Sequence, residues 1–357
     1  MREAHCHLQA SAPQSRQAPI LRPLICILAL SAAGLLTGCR VPDPRAPFTD
    51  TRPPPGLATR FYPPHGWAWG LIRAGKAPPA RYGVSAPAGR QRADVLILAS
   101  YGEPAEVWFE TAADLNARGD VVWVLEPTGQ GGSGHYALPR DLVHAPSLAP
   151  DVEAVAAMAV GFIGRRPLIL IASPTAGPVA VRALERGLQP DGVVLVSPVL
   201  TPAPGRALLM RSLGLGGVRA AGGSAWSRQG PDDRALGLTH DAERGRLRLA
   251  WQTANPDLRS GGPSWAWRAA FANLQARAAD GSMQAVAAPV LVTAPSGQAR
   301  AAANLCRRLR HCMVRSFAGA GTALPLEADG IRRPWLDAVS RFIEARTGGF
   351  APAPPAA

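Results

Sequence analysis

The sequence predicts an α/β fold: a mostly parallel sheet with helices on both faces and a helical lid inserted late in the chain. Three observations predict it. Near-continuous apolar runs of strand length alternate with helical patterns, as strands buried on both faces require. The chain has 357 residues, 47% hydrophobic and 18% charged, which suits a sizeable core and excludes disorder as a whole. From 199 to 283 the alternation stops, and the chain becomes rich in glycine, arginine and tryptophan.

The elements follow in order. "ADVLILAS" (93–100) is a buried strand, and "AEVWFETAADLNARG" (105–119) an amphipathic helix closed by glycine. "DVVWVLEP" (120–127) is a strand and "APDVEAVAAMAVGFI" (149–163) a helix. "RPLILIAS" (166–173) is a strand, and "TAGPVAVRALERG" (175–187) a helix stopped by Gly187. "DGVVLVSP" (191–198) is a strand, after which the largely helical insertion begins. An insertion there lies over the carboxyl ends of the strands, where ligands bind in open α/β sheets. "APVLVTAP" (288–295), "ARAAANLCRRLR" (299–310), "HCMVRSFAG" (311–319) and "IRRPWLDAVSRFIEART" (331–347) close the order as strand, helix, strand and helix.

The ends carry a different message. Arg16 and Arg22 precede the apolar run "PLICILALSAAGLL", and Leu36-Thr37-Gly38-Cys39 follows it. Positive charge, a short apolar core and small residues before a cut describe a secretory signal. "LTGC" resembles the bacterial lipobox, which implies that Cys39 is lipidated and becomes the mature terminus. The run is short for a full span of about 20 residues. Residues 1–38 are thus read as a signal and 39–60, rich in proline and arginine, as a tether. Residues 61–198 and 284–347 form the core, 199–283 the lid, and 348–357 a loose tail. Cys306 and Cys312 remain for a disulfide in an oxidising compartment, with two separate buried thiols as the alternative.

The net charge of +13 is almost wholly arginine, since Lys76 is the only lysine. Genome composition explains that bias plainly; attraction to anionic lipid headgroups is the sharper reading. No basic helix interleaved with aromatics is found, so nucleic acid is not expected as a partner. No metal-ligand spacing and no cofactor motif stand out. "GQGGSG" (129–134) lacks the lysine that follows a phosphate cradle.

The passages "YGEPAEVWFETAADLNARGDVVWVLEPTGQGGSG", "LTHDAER…ANPDLRSGGPSWAW" and "FAGAGTALPLEADGIR" carry a family resemblance. Over residues 60 to 346 the chain resembles the α/β-hydrolase fold, in its lysophospholipase and monoacylglycerol-lipase (serine aminopeptidase S33-like) branch. The resemblance implies acyl transfer by a serine, a histidine, an acid and two backbone oxyanion donors.

The matching positions are blank. The elbow serine falls at Pro174, which has no hydroxyl and whose ring fixes φ near about −65°. Ser173 and Pro174 read as an N-cap followed by the first helical residue. Ser173 is the alternative nucleophile, with its side chain facing the other side of the sheet. The histidine position falls at Thr322, and His311, the last histidine, sits at the wrong end of its strand. His65, His135, His144 and His240 read as surface or loop histidines. The acid position falls at Ser296, with no Asp or Glu between Asp280 and Glu327. The oxyanion-like loop "ASYGEP" keeps Tyr101 and Gly102, with the Tyr101 N–H as one donor. The expectation is a lipid-anchored envelope protein, facing the periplasm, that binds a lipid or acyl ligand or an envelope protein partner without catalysis. Arg40 after the cysteine favours the outer membrane. A serine hydrolase with rearranged residues, and a structural envelope protein, are the alternatives.

Overall fold

The computed structural model describes residues 50–164, 166–201, 205–280 and 283–348. The expected signal, Cys39, the first part of the tether and nearly all of the tail lie outside the described residues.

Eight strands form one sheet: β1 (Ala68–Ile72), β2 (Ala80–Ser85), β3 (Asp94–Leu98), β4 (Val121–Leu125), β5 (Leu168–Ala172), β6 (Gly192–Val196), β7 (Val290–Pro295) and β8 (Cys312–Phe317). Their spatial order is β1-β2-β4-β3-β5-β6-β7-β8. β2 runs antiparallel to β1 and to β4; the pairs from β4 through β8 are parallel. Leu98 of β3 sits opposite Leu125 of β4 and Ala172 of β5. The carboxyl ends of these three strands are therefore level, and the loops leaving them meet.

The helices are α1 (Phe109–Ala117), α2 (Ala149–Gly161), α3 (Gly177–Glu185), α4 (Arg206–Ser212), α5 (Leu247–Ala254), α6 (Trp265–Asp280), α7 (Ala299–Cys306) and α8 (Asp329–Glu344). Side chains alternate across the sheet. Leu96, Leu98, Leu170 and Ala172 pack with α2, α3, α6 and α7. Val95, Ile97, Ile169 and Ile171 pack with α1 and α8, around Trp108 and Trp335. Each fully buried Val, Leu or Ile here contributes about 1.5–3 kcal/mol relative to exposure.

Four features depart from the sequence reading. β1 and β2 do not stand out in the sequence, because "AWGLI" and "ARYGVS" mix Trp, Gly and Arg with apolar residues. Arg81 of β2 is fully buried and bonds Glu106 at 2.8 Å and Glu126, under the ring of Trp69 at 4.1 Å. Residues 50–60 are docked rather than loose. Phe61 is buried, Leu57 packs beside it, and Asn255 clasps the N–H and C=O of Arg52 at 2.8 and 3.0 Å. Among its described residues the insertion holds three helices but is irregular between α4 and α5. Arg219 pins that stretch to Asp141 at 3.0 Å, and Trp226 N–H bonds the same carboxylate. α7 stops at Cys306, where Leu309 N–H turns back to the Cys306 carbonyl. A disulfide joins Cys306 to Cys312 at the start of β8, with a Cα separation of 5.2 Å.

Among the described residues no helix is long and apolar enough to cross a membrane. Nor do three or more His, Cys, Asp or Glu there gather as metal ligands.

Candidate functional site

The site lies at the carboxyl ends of β3, β4 and β5, beneath the insertion. After β5, Ser173 is extended (φ −60°, ψ 163°), Pro174–Ala176 form a 3-10 turn, and α3 follows. No left-handed residue occurs in this turn. Among the described residues the non-glycine residue with positive φ is Ser197, at 43°, after β6. The close approach here is at Gly177, where a Cβ would come within 2.9 Å of the Pro198 ring. The Val199 N–H then bonds the Pro174 carbonyl at 3.0 Å.

Against the expectation from its place before proline, Ser173 does not cap with its side chain. Its carbonyl accepts the Ala176 and Gly177 N–H groups, while its hydroxyl donates to Glu103 Oε2 at 2.8 Å. A better acceptor across the turn has won over the local cap. The same carboxylate oxygen accepts the Ser100 N–H at 2.7 Å. Burial raises the Glu103 carboxyl above its ordinary range, against these two donors that favour its ionised form. Ser173 is only 2% exposed, and among the described residues its hydroxyl has Glu103, not an imidazole, as its partner.

The oxyanion-like loop is present, but its donors are occupied. Tyr101 N–H donates to Thr175 Oγ1 at 2.7 Å, and Gly102 N–H to Gln130 Oε1 at 2.7 Å. Thr175 is held in turn by the Ser100 hydroxyl, 3.0 Å from both its N and its Oγ1. At the Tyr101 N–H, expected as one oxyanion donor, a side-chain oxygen sits where a substrate oxygen would have to bond. The Tyr101 phenol reaches the Gly261 carbonyl, and desolvation raises its pKa.

Pro174, Ser296 and Thr322 follow β5, β7 and β8 respectively, all beyond the carboxyl ends of parallel strands. Ser296 is exposed and opens a 3-10 turn. Around Thr322 the insertion docks on the loop. Ala323 N–H bonds the Leu238 carbonyl at 2.8 Å, and a Cβ on Gly321 would meet that carbonyl oxygen at 2.3 Å. Beyond it, His240 Nδ1 lies 3.0 Å from Glu327 Oε1, with the imidazole 66% exposed. His144 pairs with Ser264 at 2.8 Å, but Ser264 Oγ also accepts the Trp267 N–H as the cap of α6. His135 faces the Gly131 carbonyl at 3.1 Å, and His65 and His311 are exposed.

What remains of the cleft is a cavity of about 40 Å³ between Tyr101, Thr175, Trp267, Phe271 and Asp151. A water needs about 10–15 Å³ on this measure, and small-molecule sites hold about 300–1,000 Å³. Trp267 stacks on Phe271 at 5.0 Å and packs on Tyr101 at 4.9 Å, which fills the rest. Asp151 is buried there, accepting the Thr128 N–H and hydroxyl at 2.8 and 2.9 Å; desolvation pushes its pKa up to about 6. The glycine-rich turn cradles protein groups. Gly132 N–H bonds Glu126 at 3.0 Å, and Gln130 reaches the Gly102 loop.

The family model described as "Serine aminopeptidase, S33" matches residues 89–297, more than half of the chain. The chain belongs to the serine aminopeptidase S33 family. This S33 chain is similar in structure to the soluble variant of monoglyceride lipase from Saccharomyces cerevisiae, with a TM-score of 0.60 and 15% identity over 86% of this chain and 99% of that one. The monoacylglycerol lipase of Paleococcus ferrophilus gives 0.58 and 16% over 78% and 99%. A carboxyl esterase from Bacillus coagulans gives 0.56 and 14% over 78% and 99%. At such identities the likeness shows the α/β-hydrolase fold. No curated protein matches the chain. The S33 motifs mark the positions of the site but do not single out Glu103, Thr175 and Gln130. Their only signal was adjacency: Glu103 follows Gly102, Thr175 follows Pro174, and Gln130 lies in "GQGGSG".

Proposed function

We propose that this S33-family chain is a lipid-anchored envelope protein that acts by binding and not by catalysis. Lipidation at Cys39 would hold it at the membrane, the outer membrane by the Arg40 criterion, facing the periplasm. The observation that carries the reading is the bond from Tyr101 N–H to Thr175 Oγ1 beside Pro174. An oxyanion donor is spent on the protein's own side chain, next to a residue that cannot attack. The blank positions at Ser296 and Thr322 support the same reading. So does a cleft too small for an acyl ligand while the insertion lies where it does; such a ligand would have to displace Trp267 and Phe271. A lipid surface or an envelope protein partner is then met by the outside of the insertion.

One observation favours a second reading, a serine hydrolase with rearranged residues. The Ser173 hydroxyl donates directly to a carboxylate whose basicity burial has increased. Labelling the purified protein with a fluorophosphonate serine-hydrolase probe separates the two. The binding reading expects no adduct. A labelled Ser173 peptide contradicts it.

A further inference from the structure

Four arginines line one cavity of about 330 Å³: Arg182 of α3, Arg186 just past its end, Arg211 of α4 and Arg277 of α6. Two of them have acids, Arg182 with Glu185 at 2.8 Å and Arg186 with Glu153 at 3.8 Å. Arg211 and Arg277 have no side-chain partner among the described residues. Among the side chains described, these two guanidinium groups have no acid beside them. A guanidinium is a planar fork that matches phosphate oxygens and sheds water more readily than an ammonium.

Beside this cavity the same short helix opens outward. Leu208 and Leu209 of α4 are 43% and 55% exposed, and Leu213, which ends it, is 62% exposed. Val218, in the turn that packs with α4, is also open. Neighbouring exposed leucines are a standing cost in water and mark an interaction surface. Leucines beside unpaired arginines suit a particular solvent: an anionic interface, apolar below the headgroups and negative at their level.

We propose that this face docks on an anionic phospholipid membrane. Arg211 and Arg277 take the phosphate of one headgroup within the cavity, and Leu208, Leu209 and Leu213 enter the acyl boundary. The proposal rests on the binding reading above, whose lipid surface it names, and does not depend on the loss of catalysis.

The test uses the full chain carrying Cys39→Ser, so that no acyl anchor contributes. Flotation is measured on phosphatidylcholine vesicles with and without phosphatidylglycerol. Every variant carries the same amino-terminal run with Arg16 and Arg22 before it, so that contribution is common to all and the differences between variants report on the proposed face. The Cys39→Ser chain should give phosphatidylglycerol-dependent binding, and adding Arg211→Gln with Arg277→Gln should lower it by about tenfold or more. Leu209→Ser with Leu213→Ser should also lower it. The charge-matched control Arg300→Gln with Arg310→Gln, on exposed residues outside the cavity, should leave it unchanged. Equal losses in the control and the Arg211/Arg277 pair would mean diffuse charge attraction and overturn the proposal. So would unaltered vesicle binding by the pair while its binding of inorganic phosphate is lost, which would assign the cavity to a free anion. Circular dichroism of each variant establishes that it is folded.

Discussion

The N–H of Tyr101 donates to the hydroxyl of Thr175 at 2.7 Å, across the gap between the loop after β3 and the turn after β5. This bond closes the oxyanion-like loop onto the turn that replaces a nucleophile elbow. Thr175→Ala should cost about 1–2 kcal/mol, because a partly buried N–H loses its acceptor. Thr175→Ser should recover most of it. Urea unfolding of the three proteins decides the point; an unchanged midpoint for Thr175→Ala would show that the bond carries no weight.

Pro174→Ser alone should create no esterase. The new serine would lack a histidine at Thr322 and an acid at Ser296, so nothing would take its proton. Regaining a left-handed elbow would also cost about 1–3 kcal/mol. Ester turnover by Pro174→Ser above that of the wild type would contradict this.

Asp151 should give the fold a measurable pH dependence. Its folded pKa of about 6 lies above the ordinary 3.8, so between these values the native state holds a proton that the unfolded chain has released. The stabilisation is complete below the unfolded pKa and is lost as pH rises through about 6; a rise of roughly two units corresponds to about 3 kcal/mol. Asp151→Asn keeps an acceptor for the Thr128 N–H but cannot ionise. It should match the wild type near about pH 4 and exceed it near about pH 8. A difference in unfolding free energy that does not vary with pH would refute the assignment.

The ion cluster on β2 should respond as a buried one. Glu126 accepts from Arg81, from the Ala105 N–H at 2.7 Å and from the Gly132 N–H at 3.0 Å. Glu126→Ala leaves a buried guanidinium short of charge and should cost about 3–5 kcal/mol. A loss below about 1 kcal/mol in chemical denaturation would mean that water or Glu106 compensates.

Much of this fold is written in local pattern. "VLIL", "LILIA" and "GVVLV" are continuous apolar runs because both faces of the parallel sheet are covered, and each lies in a strand. β1 and β2 were illegible for the converse reason: Arg81 is buried only because Glu106 and Glu126 arrive from elsewhere in the chain. The site divides the same way. Pro174 and the lack of any histidine after His311 can be read directly from the sequence. The partners of Ser173 and Tyr101 cannot, since those bonds span 70 and 74 residues. Residues 50–60 read as a loose tether from their prolines, yet Asn255, about 200 residues away, holds them.

The measurement that bears most directly on the non-catalytic reading is hydrolysis of a short acyl ester and of a lysophospholipid by the wild type and by Ser173→Ala. The expected result is no turnover above background for either protein. Wild-type turnover that Ser173→Ala abolishes would contradict it and make Ser173, with Glu103 as its base, the nucleophile.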